Sequence, residues 1–197
     1  KKIESISYVH TINDFNLKSN ALVEISKVFF EQNQCDDALK YLNEALSNSN
    51  MIEDESLKVT LLISIAIEFD KHNQFKEFLE VIMEAIKSAR LIKNKIGFDY
   101  ALTEISIQLA QRGFWRLIED TVAEIYNHQM REDCWLKIAV SLNKNRDYYS
   151  MQKLINEFSN AESKIQMKQA IIRSVDEVNI SKDICIHVLM IGQPLLI

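Results

Sequence analysis

Glycine and proline are nearly missing from this chain: 197 residues hold three glycines and one proline. Multi-stranded β architectures place turn residues about every ten positions, so this scarcity excludes them. Phosphate-cradling loops need clustered glycines, and Gly97, Gly113 and Gly192 stand far apart. Cysteine is as sparse. Cys35, Cys134 and Cys185 lie in apolar stretches with no C-x-x-C, which supports neither a zinc site nor a disulfide framework. Three such thiols fit a reducing cytoplasm, the compartment expected here.

Long single-sign and long apolar runs are absent too. Twenty-three Lys and Arg face 28 Asp and Glu, for a net charge of −5, and no basic run exceeds two residues. A nucleic-acid binder displaces counterions with a basic face, so no nucleic-acid partner is expected. The most apolar run, 59–67, is too short to cross a bilayer, and the apolar stretch 184–197 is broken by Gly192 and Pro194. No membrane span is expected. The chain opens on Lys1-Lys2-Ile3 without a secretory signal or an initiating Met, which suggests a piece of a longer protein.

What is present is 47% hydrophobic residues in a helical pattern that repeats. Ala21-Leu22-Val23-Glu24-Ile25-Ser26 returns as Leu61-Leu62-Ile63-Ser64-Ile65-Ala66 and again as Ala101-Leu102-Thr103-Glu104-Ile105-Ser106, at steps of forty. Further copies follow at steps of 33, at Trp135-Leu136-Lys137-Ile138-Ala139 and, more weakly, at Lys168-Gln169-Ala170-Ile171-Ile172. Within each copy the apolar residues fall at i, i+3, i+4 and i+7, as in Leu22, Ile25, Ser26 and Phe29, which is one helical face. Turns follow at 33–37, 72–74 and Gly113, then second helices carrying Ala38, Leu42 and Ala45; Phe78, Ile82 and Ala85; and Ile118, Val122 and Ile125. Asparagine and glycine share the turn because both tolerate a left-handed backbone.

This spacing resembles the tetratricopeptide repeat, with Trp135 and Ala139 at that family's tryptophan and small-residue places. The resemblance implies an all-α fold: a right-handed superhelical α-solenoid of about five antiparallel helix pairs, at 19–50, 59–92, 99–129, 132–160 and 165–191. Residues 1–16 form a partial or capping helix in this reading. Departures are plain. Phe78, Ile118 and Met151 replace small residues where paired helices approach, and the first two units carry about six extra residues, as longer second helices or as loops around Asn48–Glu55 and Ala89–Ile96.

No catalytic set assembles. His10, His72, His128 and His187 fall in four different units, and Asp183 with His187 reads as an exposed helix pair. Glu53-Asp54-Glu55 reads as a solvated loop or a helix start, and Trp115 as a plug for the turn at Gly113. No catalytic residue, cofactor or metal is expected.

In tetratricopeptide superhelices the first helix of each pair lines the concave surface. The matching positions here are Val23, Lys27 and Phe30; Ile63, Ile67 and Asp70; Thr103, Ile107 and Gln111; Leu136, Val140 and Lys144; and Arg173. Aliphatic residues recurring there form either a groove for a partner's apolar or amphipathic segment or a seam between adjacent first helices. The family's Lys/Asn clamp for a terminal carboxylate is not assembled. The expected function is a non-catalytic protein-interaction scaffold; the alternatives are self-assembly through the apolar ends, a chaperone-like role, or the regulatory arm of a larger protein.

Overall fold

A computed structural model describes residues 8–144 and 161–178, and among these every regular element is an α-helix. The helices are α1 (Phe15–Glu31), α2 (Cys35–Ser49), α3 (Glu55–Lys71), α4 (Phe75–Ala89), α5 (Lys95–Gln111), α6 (Trp115–Ala123), α7 (His128–Lys144) and α8 (Ala161–Val178). The chain divides into two compact units whose boundary in the sequence lies between Ala101 and Leu102.

Helix starts obey the forty-residue step. Asp14 accepts a hydrogen bond from the Leu17 N–H at 2.9 Å, Asp54 from Ser56 and Leu57, and Asn94 from Ile96 and Gly97. Asn127 caps α7 in the same way, accepting from the Met130 N–H at 3.0 Å. Short oxygen-bearing side chains satisfy amides that have no partner within the helix. Each first helix therefore starts about four residues ahead of the repeat limits read from the apolar stripe, because its first turn is solvated. Residues 8–12 form a turn in which Thr11 and Ile12 donate to the carbonyls of Tyr8 and Val9. The rest of the capping segment lies outside the described residues.

Helix ends obey the same step. Asn33 (φ 58°), Asn73 (φ 60°) and Gly113 (φ 74°) all adopt the left-handed conformation. Around each, one amide reaches back five residues (Gln34 to Phe29, Gln74 to Phe69, Phe114 to Leu109) and its predecessor reaches back three. That is a Schellman ending, repeated three times. The residue that completes it, Gln34, Gln74 or Phe114, is also the N-cap of the next helix, so the two helices of a pair are joined almost without a loop.

In the first unit α1 pairs with α2, α3 with α4, and α1 lies against α3. The core is the expected stripe: Leu22, Leu62, Ile65, Ala38, Leu42, Ile82 and Ala85 are fully enclosed. Ile25, expected beside them, is only half-buried. In the second unit Ser106 and Thr121 join α5 to α6 through hydroxyls 2.8 Å apart, and α7 packs on α8. The Trp135 indole N–H donates to Gln166 Oε1 at 3.0 Å.

The extra residues of the early units are in their second helices. Helices α2 and α4 each have 15 residues and α6 has 9. Phe78 and Ile118 are accommodated at 1% and 0% exposure. In α8 the enclosed stripe is Met167, Ala170, Ile171 and Ser174, one residue ahead of the copy read from Lys168. That shift keeps the lysine off the centre of the packed face.

Candidate functional site

The first helices carry the expected interaction face, and in the first unit part of it is closed. Val23 and Phe30 are 2% and 7% exposed, because α1 lies against α3. This corrects their placement in an open groove. The Phe30 ring stacks on His72, with centroids 3.4 Å apart and planes 9° from parallel. His72 is the C-cap residue of α3, so this contact couples the ends of successive first helices. Ile63, Ile67 and Asp70 remain half-buried. Lys27 is also half-buried and pairs with Glu24 at 2.6 Å. Beside this face, Lys71 reaches the nearly enclosed Glu68 carboxylate at 2.8 Å. The opposite charge offsets what burial of that carboxylate would otherwise cost.

The second unit repeats the division. Thr103 is 3% exposed and is likewise corrected from a groove residue to a core one. It sits with Ser106 beside Cys134, which is fully enclosed. Burial pushes the Cys134 thiol up from 9.0 to about 12, against the opposing effect of hydrogen bonds with Thr103 and Ser106. A thiol so protonated and inaccessible is a packing group rather than a nucleophile. Ile107, Leu136 and Val140 are half-buried and Gln111 is exposed. Arg173, also exposed, faces Glu132 at 3.5 Å. The side chain of Lys144 lies outside the described set, as do Met151, Asp183 and His187.

One register position is therefore open in every first helix from α1 to α7. Lys27, Ile67, Ile107 and Val140 are all half-buried, whereas the position four residues earlier alternates between buried (Val23, Thr103) and half-buried (Ile63, Leu136). The small-residue position just before it is sealed throughout, with Ser26, Ala66, Ser106 and Ala139 all at 0% exposure. The Ser26 hydroxyl donates to the Val23 carbonyl at 2.7 Å, which makes its burial inexpensive.

Two clefts accompany these faces. One, of about 500 Å³, lies at the turn Gly113–Leu117. Trp115 is 3% exposed, and its indole lies 3.6 Å from where a Cβ on Gly113 would stand, so the ring underpins the turn as the sequence suggests. The other, about 360 Å³, opens between α2 and α4 and is rimmed by Asn43, Asn50, Glu77, Glu80 and Glu84. Its acidic i, i+3, i+7 spacing is indistinguishable in sequence from an ordinary solvated helix face. Among the described residues no group of three His, Cys, Asp or Glu is placed to hold a metal, and no helix is long and apolar enough to cross a membrane.

No protein-family profile and no curated relative matches this sequence. Among solved structures the chain is similar to that of Ton1535 from Thermococcus onnurineus NA1, with a TM-score of 0.53 at 15% identity over 95% of this chain. The match spans 52% of Ton1535, about half its length. At that identity the likeness concerns the helical fold alone.

Proposed function

We propose that this chain is a non-catalytic protein-interaction module of the tetratricopeptide-like kind, a right-handed helix-pair superhelix whose first helices take an apolar or amphipathic segment of a partner protein. The observation that supports this reading is the half-open register position. Three of its four occupants are aliphatic, at a place where a fully solvated face would carry charge. In the first unit Ile63 and Ile67 offer the contact, with Asp70 and Lys27 as polar neighbours; the second offers Ile107, Leu136 and Val140. Burying these side chains would supply affinity at about 25 cal/mol per Å² of apolar area, before the entropic costs of association. The rim charges would set register.

Peptide selection followed by calorimetry tests the reading. Peptides selected on the wild-type protein should bind at least about tenfold more weakly to an Ile67→Asp, Ile107→Asp variant whose circular dichroism is unchanged. A Val28→Asp variant, altered at an exposed position of α1, should bind as wild type. Equal affinity for the Asp variant and wild type would refute the proposal.

A further inference from the structure

The loops that lead into α3 and α5 are built alike and charged oppositely. In both, the second and third residues donate backbone hydrogen bonds to the helix just ended: Met51 to Asn48 and Ile52 to Ser49, Leu91 to Ser88 and Ile92 to Ala89, all at 3.0–3.2 Å. Asp54 and Asn94 then cap the next helix through the same two amide positions. Aligned at the forty-residue step, Asn50-Met51-Ile52-Glu53-Asp54-Glu55 matches Arg90-Leu91-Ile92-Lys93-Asn94-Lys95. Three acids stand in the first loop and three bases in the second.

The helix dipole favours the charge of the first loop and not that of the second. Glu55 is the first residue of α3 and complements the positive end of the helix dipole. Lys95, at the same place in α5, opposes it. Glu53 and Lys93 are exposed, and among the described residues neither takes part in an ion pair or a side-chain hydrogen bond.

The loops are also neighbours, and both are apolar at their tips. They stand at the same end of the first unit, where second helices finish and first helices begin. A Cβ on Gly97 would lie 3.7 Å from the Ser56 hydroxyl, which places the start of α5 beside the start of α3. Met51 and Leu91 are 59% and 63% exposed, and Leu57 and Ile96 are 46% and 63% exposed. This edge thus carries an acidic loop, a basic loop and four outward aliphatic side chains.

Such an edge is complementary to itself. A twofold axis passing between the loops sets the acidic loop of one copy against the basic loop of the other, twice, with the aliphatic tips between. We propose that this edge of the first unit docks a second copy of the chain, forming a symmetric dimer held by Glu53–Lys93 contacts across the axis and by Met51, Leu57, Leu91 and Ile96 at its centre. The first-helix face of the proposed function takes no part in this contact.

Charge exchange in sedimentation equilibrium tests the dimer. Wild-type protein at tens of micromolar and low salt should weigh twice the 22.9 kDa of one chain, and the dimer should loosen as salt is raised. Glu53→Lys and Lys93→Glu should each weaken self-association at least about tenfold, since each places like charges together twice. An equimolar mixture of the two variants should recover a one-to-one dimer, and so should the doubly exchanged chain. Circular dichroism of each variant establishes that it is folded. Wild-type protein that stays monomeric, which is the outcome if the loops attract each other only within one copy, would overturn the proposal. So would single variants that dimerise as wild type does, or folded variants whose mixture and double exchange both fail to recover. Peptide binding at Ile67 should be unaffected in every variant, which separates this test from that of the proposed function.

Discussion

Helices α4 and α6 follow the same kind of turn and then differ. Both start two residues past a left-handed residue, Asn73 or Gly113, and both bury a large residue in the first turn, Phe78 or Ile118. Yet α4 runs for 15 residues and α6 for 9. Beyond the end of α6 the chain still buries Ile125, and the Arg131 guanidinium donates to the Ile125 carbonyl at 2.6 and 3.2 Å. The turn and the opening of the second helix are therefore the conserved part of the pair, and its length is free to vary. A side chain reaching back to the backbone takes over where helical hydrogen bonds stop.

The largest losses are expected at the shared register position of the first helices, held by Leu62 in α3 and Trp135 in α7. Trp135→Ala should cost about 3–5 kcal/mol and Leu62→Ala about 2–5, read from urea unfolding. If the units melt separately, each loss should move only the transition of its own unit.

Two of the three cysteines, Cys35 and Cys134, add a chemical contrast. Cys35 is exposed and Cys134 is enclosed. In the folded protein Cys35 should react with a thiol reagent at least about a hundredfold faster than Cys134. The raised folded pKa also sets a pH dependence. Between the ordinary thiol value of 9.0 and about 12 the unfolded chain releases a proton that folded Cys134 retains. The contribution of Cys134 to stability is thus complete below pH 9 and is lost as pH rises toward 12. Cys134→Ser should flatten the fall in melting temperature over that window.

Smaller effects probe the turns. Gly113→Ala should cost about 1–2 kcal/mol, because a Cβ in the left-handed region is strained even where space allows it. Asn73→Gly should be nearly neutral by the same measurement. Smallest of all, Asp54→Ala should remove about 1 kcal/mol by leaving the Ser56 and Leu57 amides uncapped, and Asp54→Asn, which reproduces the cap seen at Asn94, should remove less.

The repeat was readable because its cause is local. Spacing of three and four put Leu22, Leu62, Leu102 and Trp135 at one place in four helices, and all are enclosed. Asparagine and glycine at 33, 73 and 113 marked the turns because few other residues accept that backbone. The weak copy at Lys168 slipped by one residue, since with so few large apolar side chains Met167 had no partner in sequence to set the register. The interaction face was half legible. Its positions recur in the sequence, but nothing in their spacing says which are covered.

Local sequence thus specified that the described segments are helical, where three first helices turn and which face most helices bury, since these follow from side-chain period and turn residues within a few positions. It did not specify the length of the second helices, and Ile125, expected on the third of them, lies beyond its end at Ala123. Packing between helices settled that Val23, Phe30 and Thr103 are sealed while Ile63, Ile67 and Ile107 stay half open, that the Cys134 thiol is enclosed, and that two oppositely charged loops share one edge. Those outcomes depend on how closely residues far apart in the chain approach one another, and helical periodicity carries no record of that distance.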